Sequence, residues 1–348
     1  MRATYKRLFL KKRYPLAISR GVITGSENLF VCVEAFGKTG VGELASTTTE
    51  QGENCDTGLA ELQPFVESLP GSPSIAQVWS EARERGIRPR ALAALDIALW
   101  DAFGKACNQP LWRVFGLCRE SPATSLTIGI NPPEITKERV PEILSRTGAK
   151  FLKIKLGSPD GLDADRSHFM AAKEAAAPFH AGLRVDANGG WSLENAKIMM
   201  KWLAEQGVDY VEQPLVKGAE DQLPELFKNR PLPIFVDESI WYAADVPKLA
   251  DRVDGVNLKL MKCSGLTEAL RIVAVARAHG LGTMIGCMGE SSIDISAGAS
   301  IGALFDHIDL DSHFNLLNDP ASGAVMTDGV VLPTDAPGHG ASFVKSLE

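Results

Sequence analysis

The chain has 348 residues, 45% hydrophobic and 23% charged, and its 36 Lys and Arg stand against 43 Asp and Glu for a net charge of −7. This is globular composition. A mildly acidic chain without a basic tract does not suit nucleic acid or an anionic membrane, and no apolar run nears the roughly 18 residues of a membrane span. The basic N-terminus runs into polar sequence and does not read as a secretory signal, and the six scattered cysteines form no C-x-x-C pair, a pattern that suits reduced thiols in a cytoplasm.

Residues 1–120 read as a small α+β domain. Segments near 2–10, 28–35 and 38–44 are rich in β-formers and predict an antiparallel meander, and helical patterns follow near 56–68, 74–85 and 89–107. The last is clearest, because Ala91, Ala94, Leu95, Ala98, Leu99 and Ala102 recur at helical spacing, with Pro110 beyond the end. From 121 to 325, short apolar strands alternate with helical stretches; the strands fall at 125–130, 151–156, 183–187, 208–214, 233–238, 256–260, 282–287 and 307–311. Eight βα units predict an α/β fold, a closed (β/α)₈ barrel of TIM type. A doubly wound open sheet is the competing arrangement, but no G-x-G-x-x-G follows an early strand. Residues 326–348, which take in most of the strand-like VMTDGVVL, are expected to return to the first domain.

Five successive strands, the second to the sixth, end in a charged residue: Lys155, Asp186, Glu212, Asp237 and Lys259. The carboxyl ends of barrel strands form the catalytic face, and five charges in one phase do not suit a packed interior unless they serve a site. Asp186, Glu212 and Asp237 fall on neighbouring strands. Three converging carboxylates need a cation, and hard oxygen donors with no His or Cys in phase point to Mg²⁺, one per subunit, with Mn²⁺ as the alternative. Lys155 and Lys259 lie four strands apart, on opposite sides of that ion. Their mutual repulsion and the cation are expected to lower their pKa values into the range of general bases. The layout predicts a 1,1-proton transfer on a carboxylate substrate. The cation stabilises an enediolate, one lysine removes the α-proton, and the other returns a proton to the opposite face, inverting the carbon. Lys153 shares the inward face of Lys155 and is expected to bind the carboxylate, and Asn188 shares that of Asp186 and is expected to support it.

These residues lie in a wider pattern. Lys153-Ile154-Lys155, then Leu183-Arg184-Val185-Asp186-Ala187-Asn188, then Val211-Glu212-Gln213-Pro214, then Asn257-Leu258-Lys259-Leu260-Met261-Lys262, with the segment AALDIALWDAFGKACNQPLWRVFG at 93–116, resemble the enolase superfamily, specifically its muconate-lactonising subgroup. The resemblance covers nearly the whole chain. It implies a modified, enolase-like barrel with an N-terminal α+β capping domain and substrate-specificity loops near 18–26 and 44–54. Asp309-Leu310-Asp311 looks like the Asp-x-Asp with which dipeptide epimerases of the L-Ala-D/L-Glu type hold an α-ammonium. The implied activity is that of an isomerase, a Mg²⁺-dependent dipeptide epimerase inverting the α-carbon of the C-terminal residue of an L,L-dipeptide. Its substrate carries a free carboxylate and a free ammonium. The alternative on the same scaffold is o-succinylbenzoate synthase, N-succinylamino-acid racemase or muconate cycloisomerase.

By the same resemblance, Thr127, Cys287, Met288 and Glu290 contact substrate, and Arg20 pairs with the side chain of a substrate glutamate. Glu50 and Glu53 sit in a Ser/Thr-rich loop that departs from the family pattern and admits a polar or cationic second residue instead. Of the six histidines His307 alone is in phase with the strand ends, and all are read as structural or surface residues. Lys262 and Cys263 receive no role. A homo-oligomer stays open.

Overall fold

In the computed structural model, which describes residues 1–46 and 52–345, the chain starts with β1 (Arg2–Ile18), β2 (Gly21–Ala35) and β3 (Lys38–Ala45), paired antiparallel in that order. The first two strands run well past the segments expected from sequence. Charged and polar residues and Pro15 interrupt the alternation from Lys11 onward, and a register shift between Lys11 and Leu16 absorbs the irregularity. Residues 21–26 are therefore part of a hairpin arm, and the turn itself is confined to Ser19 and Arg20.

Three helices follow: α1 (Cys55–Ser68), capped by Asn54, α2 (Ile75–Glu84) and α3 (Pro89–Ala106). The alanine face of α3 lies directly on β3. A Cβ built on Gly40 would stand 1.9 Å from Ala98 O, and one on Gly42 would stand 2.0 Å from Ala94 O. Glycine in the strand and alanine in the helix are what permit that approach. The short α4 (Leu111–Val114) leads out of this domain.

Eight parallel strands follow in chain order: β4 (Ser125–Ile128), β5 (Phe151–Lys155), β6 (Gly182–Asp186), β7 (Val211–Glu212), β8 (Ile234–Val236), β9 (Gly255–Lys259), β10 (Gly282–Gly286) and β11 (His307–Asp309). Each is hydrogen-bonded to the next, and a parallel bridge from Thr124 to Ile308 joins the last to the first and closes the barrel. Outside it lie α5 (Pro133–Thr147), α6 (Leu162–Ala176), α7 (Leu193–Glu205), α8 (Leu223–Lys228), α9 (Val246–Leu249), α10 (Leu260–Cys263), α11 (Leu266–Ala278) and α12 (Ser292–Ala299). Outward residues such as Leu152, Ile154, Val185 and Leu258 form the main core against these helices. Inside, Tyr210, Phe235 and Met284 pack together, with the His307 ring 4.7 Å from that of Tyr210 and 5.2 Å from that of Phe235. Burial holds His307 down at about 4, so it serves this plug as a neutral ring.

The tail divides its contacts. Val325–Thr327 and Val330–Leu332 form a hairpin whose Gly329 O accepts from Thr124 N at 2.9 Å, at the start of the barrel. Residues further on rejoin the first domain. His339 N donates to Asp101 Oδ1 at 3.1 Å, and Gly338 O accepts from Leu111 N at 2.8 Å. Two buried acids tie the first domain to the barrel. Asp96 of α3 accepts from Thr267 N at 2.9 Å and Thr267 Oγ1 at 2.5 Å, and Glu43 of β3 accepts from Ser291 N at 2.9 Å and Ser291 Oγ at 2.6 Å. No described helix is long and apolar enough to cross a membrane.

Candidate active site

Parallel register sets the level of the charged residues. Lys155 pairs with Asp186, Asp186 with Glu212, Lys259 with Gly286, and Gly286 with Asp309. Asp237 directly follows β8. All of these side chains are buried, with Asp186 and Glu212 at 0% exposure. A Cβ at Gly286 would stand 3.1 Å from Lys259 Cε, so the missing side chain leaves room for the lysine. In the closed strand order three strands lie between β5 and β9 in either direction, which puts Lys155 and Lys259 on opposite walls.

The carboxylates and amines interlock. Lys155 Nζ lies 2.5 Å from Asp186 Oδ2, and Lys259 Nζ 2.7 Å from Asp237 Oδ2. Lys153 Nζ pairs with Asp309 Oδ2 and lies 3.2 Å from Glu212 Oε2. Burial pushes Glu212 up, the nearby Asp186 adds to it, and together they outweigh Lys153, leaving the acid at about 7. Burial also pushes Asp186 up, but Lys155 and Lys153 pull it below the usual carboxylate range. Lys259 is governed by its ion pair with Asp237. Burial pulls its pKa down, yet Asp237 above all, with Glu212 and Glu238, outweighs burial and the repulsion of Lys153 and holds the ammonium above its ordinary value. The lowering expected from sequence belongs to a site with its cation bound, whereas this balance is set by the ion pair with Asp237.

Three supporting residues emerge. Lys262, given no role from sequence, donates to Asp237 O and Asp237 Oδ1, with Ile240 O at 3.2 Å and Asn257 O at 3.4 Å. Asn257 Nδ2 donates to Glu212 Oε1 at 2.7 Å, and Gln213 Oε1 accepts from Asp237 N at 2.8 Å. Strand parity could have found Asn257, which shares an inward face with Lys259 as Lys153 does with Lys155. Nothing local in the sequence marks Lys262. Asn188 donates its backbone N–H to Asp186 Oδ1 at 2.7 Å and its side-chain Nδ2 to Asp186 Oδ2 at 3.0 Å. It does so from a left-handed backbone, φ 43°, and Gln213, immediately after Glu212, has φ 38°. Backbone strain thus follows two of the three acids.

The remaining candidates separate. Asp311 Oδ2 accepts from Thr127 N at 2.6 Å, and Cys287 Sγ lies 3.4 Å from Asp311 Oδ1, so Thr127, Cys287, Asp309 and Asp311 gather at one side of the mouth. Asp309 Oδ1 is buried with no hydrogen-bond partner among the described residues. Glu290 is buried and accepts from Met288 N, so the carboxylate braces its own loop and that amide is occupied. Arg20 reaches the opposite side of the mouth from the hairpin turn. Its guanidinium donates to Asn188 O at 2.8 Å and pairs with Glu238 Oε1 at 2.7 Å, joined by Ser19 Oγ to Asn188 O at 2.9 Å. Its partner here is Glu238, a residue that the sequence reading did not single out. Glu53 is also committed, buried and accepting from Arg90 N at 2.8 Å, so it does not face a second residue; Glu50 lies outside the described residues.

Among the described residues no three His, Cys, Asp or Glu side chains close on one point at ligand distance as they stand. Ammonium groups occupy the oxygens of Asp186, Glu212 and Asp237. The donor set nonetheless suits a hard divalent cation: three buried carboxylates at the ends of adjacent strands, with Glu238 Oε2 and Asn188 Oδ1 buried beside them and unpartnered among the described residues.

A closed barrel of this order with a ring of acids and amines at its carboxyl end is the architecture of the enolase superfamily. Residues 3–116 match the mandelate racemase/muconate lactonizing enzyme N-terminal domain, and residues 136–346 match the enolase C-terminal domain-like family. The chain belongs to that family. Within it the chain is similar to the hydrophobic dipeptide epimerase of Roseobacter litoralis, 58% identical over 340 residues covering 98% of each chain. It is 52% identical to the hydrophobic dipeptide epimerase of a Flavobacteria bacterium, again over 98% of each. The crystal structure of the dipeptide epimerase from Cytophaga hutchinsonii, complexed with Mg and the dipeptide D-Ala-L-Val, superimposes with a TM-score of 0.92 at 26% identity, covering 99% of this chain and 96% of that one.

Proposed function

We propose that this chain is a Mg²⁺-dependent dipeptide epimerase that inverts the α-carbon of the C-terminal residue of an L,L-dipeptide, with Lys155 and Lys259 as its two acid–base groups. The observation that carries the reading is the placement of those amines on opposite walls, β5 and β9, with the carboxylates of β6, β7 and β8 on the strands between them. Asp186, Glu212 and Asp237 would hold the cation. When bound, Mg²⁺ supplies positive charge that stabilises the substrate anion left after α-proton removal. One lysine, as a neutral amine, takes the α-proton from one face. The other, as an ammonium, delivers its proton to the opposite face, so the carbon is inverted and no proton is gained or lost. Lys153 adds positive charge beneath the substrate carboxylate, and Asp309 and Asp311 accept the α-ammonium; the unpartnered Asp309 Oδ1 supports that role.

Two observations favour an apolar second residue over glutamate. Arg20 is engaged by Glu238 and Asn188, and the relatives at 58% and 52% identity are named for hydrophobic dipeptides. Incubation of L,L-dipeptides in D₂O with Mg²⁺ tests the reading. Deuterium at the second α-carbon with inversion is expected, faster for L-Ala-L-Leu than for L-Ala-L-Glu; absence of α-exchange with every dipeptide rejects it. Lys155→Ala and Lys259→Ala should each lower epimerisation by about 10³-fold or more. Near-native turnover in either variant would remove that lysine from the chemistry.

A further inference from the structure

The inward face of β1 carries Leu10 and then Lys12, both buried, and Lys12 is 6% exposed. The backbone around it is pinned. Lys12 bridges Leu316, Lys11 N donates to Asn318 Oδ1 at 2.8 Å, Leu317 N donates to Lys11 O at 2.9 Å, and Tyr14 N donates to Asn315 Oδ1 at 2.9 Å. The segment so gripped comes directly after Asp311, and its Ser312 Oγ donates to Glu290 O at 2.5 Å. Lys12 is thus set beside the Asp311 side of the mouth. Burial disfavours its charge and pulls its pKa down, while Asp311, Cys287 and Glu290 act in the opposite sense. Its ammonium makes no hydrogen bond or ion pair among the described residues. A leucine or methionine would fill such a position at lower cost, so packing alone does not account for a bare ammonium there.

We infer that Lys12 is a specificity-determining residue, whose positive charge keeps cationic side chains out of the subsite for the first residue of the dipeptide. The inference rests on the reading that Asp309 and Asp311 hold the α-ammonium. One bond separates that ammonium from the carbon bearing the first side chain, so the side chain begins among the neighbours of Asp311. On the β1 side it meets Lys12. Asp311 also lines a small cleft together with Tyr14 and Leu16 of β1, Phe314, Arg139 and Arg146. A lysine or arginine side chain there meets a like charge at Lys12, poorly screened where Lys12 is buried. An apolar side chain meets the methylene stem of Lys12.

The test compares L-Met-L-Leu with L-Lys-L-Leu, which differ in the first residue alone, by α-deuterium exchange in the full chain and in Lys12→Met and Lys12→Arg. The native chain should favour the methionine dipeptide by about tenfold or more in kcat/KM. Lys12→Met should cut that preference by about tenfold, and Lys12→Arg should keep it. A native chain indifferent to the two dipeptides overturns the inference, as does a preference unmoved in a Lys12→Met variant with native unfolding temperature. If Lys12→Met does not fold, Lys12→Gln takes its place under the same criterion. Exchange with an unmoved preference removes the role of Lys12 alone, whereas no exchange with any dipeptide removes the epimerase reading beneath it.

Discussion

Asp237 is gripped from two sides. Lys259 takes one carboxylate oxygen, and Lys262 takes the other together with the Asp237 carbonyl. Lys262 also reaches Ile240 O and Asn257 O, so its donors fix the short path from β8 to the loop beyond it. Lys262→Met keeps length and apolar volume but removes every donor. Under the proposed role of Asp237, Mg²⁺ affinity should fall about 10–100-fold, measured by calorimetric titration, with kcat/KM falling alongside. Native affinity in a folded variant would show that Asp237 needs no such hold. The role of this lysine was invisible in the sequence because its partners Asp237 and Ile240 lie beyond the end of another strand. Lys155, Asp186 and Glu212, by contrast, could be placed on one face from strand phase alone.

At the scale of elements, close approach of α3 to β3 is the feature most sensitive to a single atom. Gly42→Ala would drive a methyl group into the Ala94 carbonyl, with backbone on both sides and no flexible end to yield. A loss of about 3 kcal/mol is expected from such overpacking, read from chemical denaturation. Gly71→Ala, where an added Cβ meets nothing within 4 Å, should stay within about 0.5 kcal/mol of the native chain. Equal effects of the two would deny that contact its importance. The barrel strands were legible because short apolar runs alternated with helical stretches and five in succession ended in a charge, even where the ordered strand shrinks to Val211–Glu212. The β1–β2 hairpin was not. Its arms beyond Lys11 mix charge, Pro15 and glycine, and what keeps them extended is pairing with each other and bonds to residues 315–318, which no local pattern encodes.

Across the whole molecule, the seam between capping domain and barrel is built on buried acids. Glu43 of β3 is bonded by Ser291 and Asn28 and faces Glu290 and Asp294 of the barrel side. Burial raises its pKa, the bonds from Ser291 and Asn28 oppose that, Glu290 adds to it, and the carboxyl rests at about 8. Asp294 is raised as well, by burial and by Glu43 and Glu290. Since the folded chain holds the Glu43 proton more tightly than the unfolded one, the associated stability is complete below the ordinary value of 4.5. It drains away as pH rises through about 8. Glu43→Gln, which mimics the protonated acid, should match the native unfolding temperature near pH 5 and exceed it increasingly toward pH 9. Parallel curves for the two chains across that span would contradict a proton on Glu43. Sequence periodicity pointed to strands and helices on each side of the seam, but the seam itself depends on which buried groups meet after folding, and spacing along one chain carries no such information.

The hairpin that begins the chain touches both rims of the barrel mouth: Arg20 at its tip clasps Glu238 and Asn188, and Lys12 on its first arm stands by Asp311. The lysines and acids proposed to carry the reaction, meanwhile, sit on or directly after strands locked in a closed ring. If Lys12 acts as inferred, part of the substrate preference is written in a stretch of polypeptide separate from the proposed chemistry. Descendants of this scaffold can exchange one ribbon, acquire a new diet, and leave the proton-handling machinery untouched.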